Sequence, residues 1–352
     1  MTIVEGDVVL RDFRFASGEP LPELRLHYRT FGTLRRDADG VATNAVLILH
    51  GTGGSGAQFI RPEFSERLFA TGGLLDASQY YLVLPDGIGH GASSKPSDGL
   101  RARFPAYGYR DMIDAQHRLL TEGLGVDHLQ LVMGTSMGGM HSWLWGQMHP
   151  DFMDALMPLA SLPGQICGRN RVWRRVIIDV IRNDPAWHGG DYAAPPPLSS
   201  RVAAQMIFMM SSNAVLRHAQ MPSLAETDAF IDAPDALAKA PVDVNDLLYQ
   251  IEASRDYDPA PGLERIRAPL VAVNFADDLI NPPELGILER EISRVPDGRA
   301  VLIEASAATS GHGTHTVAAV WEHELAALLE RSARHGRTPR AGPFLHSSCR
   351  AA

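Results

Sequence analysis

The amino-acid sequence predicts an α/β fold: a mostly parallel central sheet flanked by helices, with an inserted helical cap. Three observations predict it. Short apolar, β-branched runs alternate with helical patterns over residues 45–160. The alternation stops between about Ser161 and Pro261, where only helical pieces remain, and it resumes at Leu270.

The first buried-strand signals are residues 45–49, before His50-Gly51, and 81–84, before Pro85-Asp86-Gly87. Residues 111–120 place Met112, Ala115 and Leu119 at helical spacing. A short strand at 129–133, a helix at 137–148 and a further candidate strand at 155–159 follow. Strands at 270–275 and 300–303 and a last helix over about 316–330 complete the pattern. The core is therefore assigned to residues 1–160 and 262–334 and the cap, with its Pro195-Pro196-Pro197 cluster, to 161–261. Open α/β sheets bind ligands at their strand ends, so a segment placed there is a lid. Residues 335–352 lack periodicity and are assigned to a flexible tail.

Composition narrows the function classes. The chain has 352 residues, 45% hydrophobic and 21% charged, enough to bury a sizeable core. Its formal net charge of -9 argues against nucleic acid or an anionic membrane as partner and leaves small molecules. The only lysines are Lys95 and Lys239, so Ser/Lys or Schiff-base chemistry has little to draw on. Cys167 and Cys349 are far apart and too few for a disulfide framework, which fits a reducing compartment. No basic leader opens the chain and no apolar run approaches roughly 18 residues, so the expected location is the cytoplasm.

Gly134-Thr135-Ser136-Met137-Gly138 joins the 129–133 strand to the 137–148 helix. That strand–turn–helix setting is what a G-x-S-x-G nucleophile elbow requires. Small residues two before and two after the serine let the backbone approach itself, and Gly139 extends the tolerance. A chance match among 32 glycines is the plain alternative, and the flanking elements weigh against it.

A serine hydroxyl needs a base, and the base an orienting carboxylate; in this fold they follow in the order Ser, Asp or Glu, His. After the 270–275 strand comes Ala276-Asp277-Asp278-Leu279-Ile280-Asn281-Pro282. Asp278, four residues before Pro282 and nine after Pro269, is preferred as the acid, which leaves Asp277 as a solvated loop acid. After the 300–303 strand comes Ser310-Gly311-His312-Gly313-Thr314-His315. His312, between two glycines, is the preferred base; His315 at the helix start is the alternative, or a packed or capping residue. The H-x-x-H spacing also suits a metal, but no third ligand lies nearby, so neither metal nor cofactor is expected. In His50-Gly51-Thr52-Gly53-Gly54 the Thr52 N–H, paired with that of Met137, is placed as an oxyanion hole. The loop lacks the Gly-Lys-Ser/Thr of a phosphate cradle. In Asp86-Gly87-Ile88-Gly89-His90-Gly91-Ala92-Ser93, a D-x-x-G-H-G-x-S stretch, the histidine is read as structural.

Several stretches are shared with one family. Tyr28-Arg29-Thr30-Phe31-Gly32-Thr33-Leu34, Arg110-Asp111-Met112 with Gln116, Ser136-Met137-Gly138-Gly139-Met140, and Asp184-Pro185-Ala186-Trp187 with Gly189-Gly190-Asp191-Tyr192 resemble the homoserine O-acetyltransferase family of α/β hydrolases, over about residues 24–330. The resemblance implies Ser136, Asp278 and His312 as catalytic triad, a helical cap, and a homodimer formed through that cap. It also implies an Ala-Arg-Met stretch in the cap, a tyrosine seven residues after its arginine, and an aspartate after the catalytic histidine, which grip homoserine. Here those places hold Gln205 within Ala204-Gln205-Met206, Ser212 and Gly313. A zwitterion buried without these partners is costly, so homoserine is a poor fit. Ile207, Phe208, Met209 and Met210 offer an apolar lining instead, or simply pack the cap on the core. Gln205, Phe208, Met209 and Ser212 are the expected substrate-contacting residues. The expected function is a serine esterase acting on a short- or medium-chain ester through an acyl-enzyme. The alternative is acyl-CoA-dependent O-acyl transfer to an alcohol.

Overall fold

The computed structural model describes residues 2–233 and 243–335; Lys239, Cys349 and all of the expected 335–352 tail but its first residue lie outside them. Eight strands form one sheet: β1 (Ile3–Arg14), β2 (Pro20–Phe31), β3 (Ala45–Leu49), β4 (Tyr81–Pro85), β5 (Leu131–Thr135), β6 (Leu156–Leu159), β7 (Leu270–Phe275) and β8 (Gly298–Ile303). Their spatial order is β1-β2-β4-β3-β5-β6-β7-β8. β1 and β2 are antiparallel to each other and β2 to β4; every later pairing is parallel.

Parallel strands between helical layers are apolar on both faces, and β3, β5, β6 and β7 are buried at every position. The β1–β2 hairpin carries no such run and was not among the expected strands. It alternates charged, exposed positions with an inward row of Leu10, Phe13, Leu21, Leu24 and Leu26, so only one face is apolar. β5 runs two residues past the expected 129–133. Gly134 pairs with Leu49 and with Pro158, and Thr135 with Leu159, which carries the strand to the candidate nucleophile itself.

The helices are α1 (Pro62–Leu68), α2 (Tyr109–Arg118), α3 (Met137–Met148), α4 (Gly168–Arg182), α5 (Pro197–Ser211), α6 (Ala214–Gln220), α7 (Leu224–Asp232), α8 (Val244–Glu252), α9 (Ile287–Ile292) and α10 (Ala318–His335). One apolar layer joins the sheet to α2 and α3 through Met112, Ile113, Trp143 and Leu144. Another joins it to α1 and α10 through Phe64, Leu68, Trp321 and Leu325. Helices α4–α8 intervene between β6 and β7 and gather a smaller core of their own around Ile177, Ile178, Ile181, Ala203, Leu248 and Ile251. Among the described residues, no helix is long and apolar enough to cross a membrane.

Candidate active site

Ser136 stands between β5 and α3 with φ 55° and ψ -112°, a backbone conformation that L-residues avoid. The neighbouring glycines are obligatory for contact reasons. A Cβ on Gly134 would lie 2.2 Å from the Gly138 carbonyl oxygen, and one on Gly138 1.9 Å from that of Leu49. The strained turn is held from outside: Ser136 N–H donates to Leu159 O at 2.9 Å and Met140 N–H to Ser136 O at 2.9 Å.

Three side chains from three loops meet here. His312 Nε2 lies 2.8 Å from Ser136 Oγ, and His312 Nδ1 lies 2.8 Å from Asp278 Oδ2. Asp278 is buried, and its carboxylate also accepts from Ile280 N–H (2.7 Å), Asn281 N–H (3.2 Å) and Asn281 Nδ2 (3.0 Å). Burial alone would push its pKa up; the charge of His312 and the bonds from His312, Asn281 and Ile280 together bring it below the ordinary aspartate value. The carboxylate thus stays ionised beside the imidazole. Asn281 in turn donates to Ala160 O at 2.9 Å, tying the acid loop to the end of β6.

The two alternatives occupy different places. His315 packs edge-on against His312, with ring centroids 5.2 Å apart, and burial followed by the neighbouring His312 lowers its pKa to about 3, so it remains neutral. Asp277, expected as a solvated loop acid, is engaged instead. Its Oδ2 accepts from Asn213 Nδ2, Thr309 Oγ1 (2.9 Å) and Gly311 N–H (3.0 Å), because the loop carrying His312 folds back over it. Asp277 therefore joins the insertion to the histidine loop.

The 50–54 loop packs directly on the serine: a Cβ on Gly51 would lie 3.4 Å from Ser136 Cβ. His50 fixes this loop. Its Nε2 accepts from Gly87 N–H at 2.9 Å, which leaves Nδ1–H to donate to Gly51 O at 2.9 Å, and burial lowers its pKa, keeping the ring neutral. Gln58 bridges Gly51 N–H (3.3 Å) and Thr135 Oγ1 (2.8 Å). The N–H groups of Thr52 and Met137 donate to no acceptor among the described residues, and that of Met137 opens a helix. His90 is buried with Nδ1 2.9 Å from Ile88 O and makes no bond to Ser136.

The expected apolar lining needs correction. On α5 the inward row is Ser199, Ala203, Met206 and Met210, a helical spacing that turns the residues between them away. Met209 is 53% exposed and Ile207 36%. Phe208 packs within the insertion, 5.2 Å from the Phe230 ring and under the Arg217 guanidinium. Gln205 is half-buried on the same helix. Ser212 is buried and does approach the centre, its backbone lying against Gly311 beside His312, while its hydroxyl donates to Met209 O at 3.3 Å. Sequence reasoning passed over Asn281, Gln58 and the anchoring role of Asp277, whose only advance signal was their place in the same loops.

The α/β hydrolase fold family matches residues 44–300. A homoserine O-acetyltransferase of Haloferax prahovense is 30% identical over 318 residues, 76% of this chain and 74% of that one. The chain belongs to the homoserine O-acetyltransferase family of α/β hydrolases. The enzyme of that name from Chlorobium chlorochromatii is 35% identical over 207 residues, a match that spans 55% of this chain and only about half (54%) of its own length. Among solved structures, the acetyl esterase MekB superposes with a TM-score of 0.80 at 24% identity, over 93% of this chain and 97% of that one, a likeness of fold.

Proposed function

We propose that this protein is a serine esterase that cleaves small carboxylic esters through an acyl-enzyme. The observation that carries the proposal is the continuous relay Ser136 Oγ–His312 Nε2–His312 Nδ1–Asp278 Oδ2, with both contacts at 2.8 Å. Asp278, buried and ionised, fixes the tautomer with hydrogen on Nδ1 and leaves Nε2 free to take the serine proton. The Ser136 alkoxide attacks the ester carbonyl, and the oxyanion of the tetrahedral intermediate lies between the N–H groups of Thr52 and Met137. The intermediate collapses by breaking the C–O bond to the alcohol, which leaves with the proton held on His312. Water then repeats the sequence on the acyl-enzyme and releases the acid.

Hydrolysis is favoured over transfer to homoserine because Gln205, Ser212 and Gly313 stand where the family grips the amino acid. Acyl transfer from an acyl-CoA to another alcohol is the second reading, favoured by the name of the Haloferax relative. Both use the same acyl-enzyme and differ in what resolves it. The test is hydrolysis of 4-nitrophenyl acetate and butyrate by the purified protein, followed by acetyl-CoA with a panel of alcohols including homoserine and serine. Ester turnover without acyl transfer is the expected result; efficient homoserine acetylation would overturn the proposal.

A further inference from the structure

Among the described residues, Arg174 on α4 is the one arginine or lysine that is buried, at 3% exposure. Buried charges are paired or heavily hydrogen-bonded, and a guanidinium cannot shed its proton to escape the cost. Arg174 has no ion pair. Its Nε donates to Asn170 Oδ1 and its Nη1 to Ser254 Oγ, both at 3.1 Å, and its guanidinium lies 4.6 Å from the centre of the Trp173 ring. Arg171 adds like charge nearby. Asp256, which neighbours Tyr109, accepts through Oδ1 from the Tyr109 N–H at 3.1 Å and makes no ion pair with Arg174.

The surroundings contain further unspent polar capacity. The Tyr109 hydroxyl neighbours Arg174, Ser254 and the Thr52 side chain. Yet Tyr109 Oη and Thr52 Oγ1 are both buried without a partner at hydrogen-bonding geometry. Two hydroxyls and a cation thus converge beside the loop that packs on Ser136. Thr52 belongs to that loop, so the cluster is one side chain removed from the candidate oxyanion hole.

We propose that Arg174, with Tyr109 and the Thr52 hydroxyl, binds a carboxylate of the substrate, so that the preferred ester carries a free carboxylate remote from the scissile bond. The proposal rests on the esterase reading and names its substrate class. One guanidinium balances one negative charge; a buried phosphate dianion would leave charge uncompensated, which selects a carboxylate. A guanidinium also meets a carboxylate through two parallel bonds. The cation that the family resemblance leads one to seek at Gln205 is supplied here from α4 instead.

The test compares two esters of one shape, mono-4-nitrophenyl succinate and its methyl ester, on the intact protein and on Arg174→Gln and Arg174→Lys. The intact protein is expected to favour the charged ester in kcat/KM by tenfold or more. Arg174→Gln should lower that preference by roughly 30-fold, the usual cost of removing one member of a buried charge pair, and Arg174→Lys should keep part of it. Equal rates on both esters with the intact protein, or a preference unchanged in Arg174→Gln, would overturn the proposal. If neither ester is cleaved, it is the esterase reading that fails. The anion site is then read by calorimetric titration of Ser136→Ala with monomethyl succinate. Binding that disappears in Ser136→Ala/Arg174→Gln supports the site, and absence of binding overturns it.

Discussion

The carboxyl ends of the central strands and the outer faces of the helical insertion follow opposite rules. At the strand ends there is no slack: Gly134 and Gly138 leave no room for a Cβ, and Asp278 is held by His312, Asn281 and the Ile280 N–H. In the insertion, Leu198, Met209, Val215 and Leu224 are 61%, 53%, 80% and 79% exposed, and the Phe208 ring lies 5.2 Å from that of Phe230 in the same segment. The difference teaches that close packing fixes the relay at the strand ends, while the outer faces of the insertion carry no such constraint.

Mutations can break or sharpen this contrast. The largest expected effect is Ser136→Ala, which should lower kcat for ester cleavage by several orders of magnitude, measured against the folded variant's melting profile. Retention of most of the turnover would remove the serine mechanism. Next comes the acid pair. Asp278→Asn should cost about 10,000-fold, because the amide no longer fixes the His312 tautomer, whereas Asp277→Asn should cost about tenfold by loosening the histidine loop. Equal losses would show that the two acids share the role.

Stability should depend on pH through the core histidines. His141 and His315 have pKa values lowered by burial to about 3, against 6.5 when unfolded. The unfolded chain therefore binds more protons between those values, and stability falls as pH drops through about 6.5 toward 3. By pH 5 each group should cost about 2 kcal/mol, and His141→Gln should remove about that much of the measured loss. Urea unfolding at pH 7.5 and pH 5 measures it; equal midpoints would contradict the assignment. The smallest effect is expected at Met209→Ser, which should change ester turnover less than about twofold and stability by about 0.5 kcal/mol or less. A large loss of activity there would bring the outer face of α5 back into the site.

Much of this was legible beforehand because local chemistry dictates it. β3 and β7 and helix α3 follow from apolar runs bounded by turn residues, and Ser136 from the glycines that its turn requires. The β1–β2 hairpin was missed because its single buried face is interrupted by charge at nearly every second residue. The engagement of Asp277 depends on Asn213, Thr309 and Gly311, which are distant in sequence. The facing of α5 was missed for a different reason: apolar residues at 206–210 fall on every side of a helix, and only tertiary packing decides that Met206 and Met210 turn inward. Arg174 is one of four arginines at 169, 171, 174 and 175, and the signal that marks it is its helical spacing to Ile177, Ile178 and Ile181, the buried face of α4.

The most direct test of the covalent mechanism is to quench the protein during turnover of 4-nitrophenyl acetate and locate the acyl group by peptide mass spectrometry. The account predicts one acetyl group on the peptide bearing Ser136, at the serine oxygen, and none in Ser136→Ala. An acetyl group elsewhere that forms and decays at the turnover rate would contradict it.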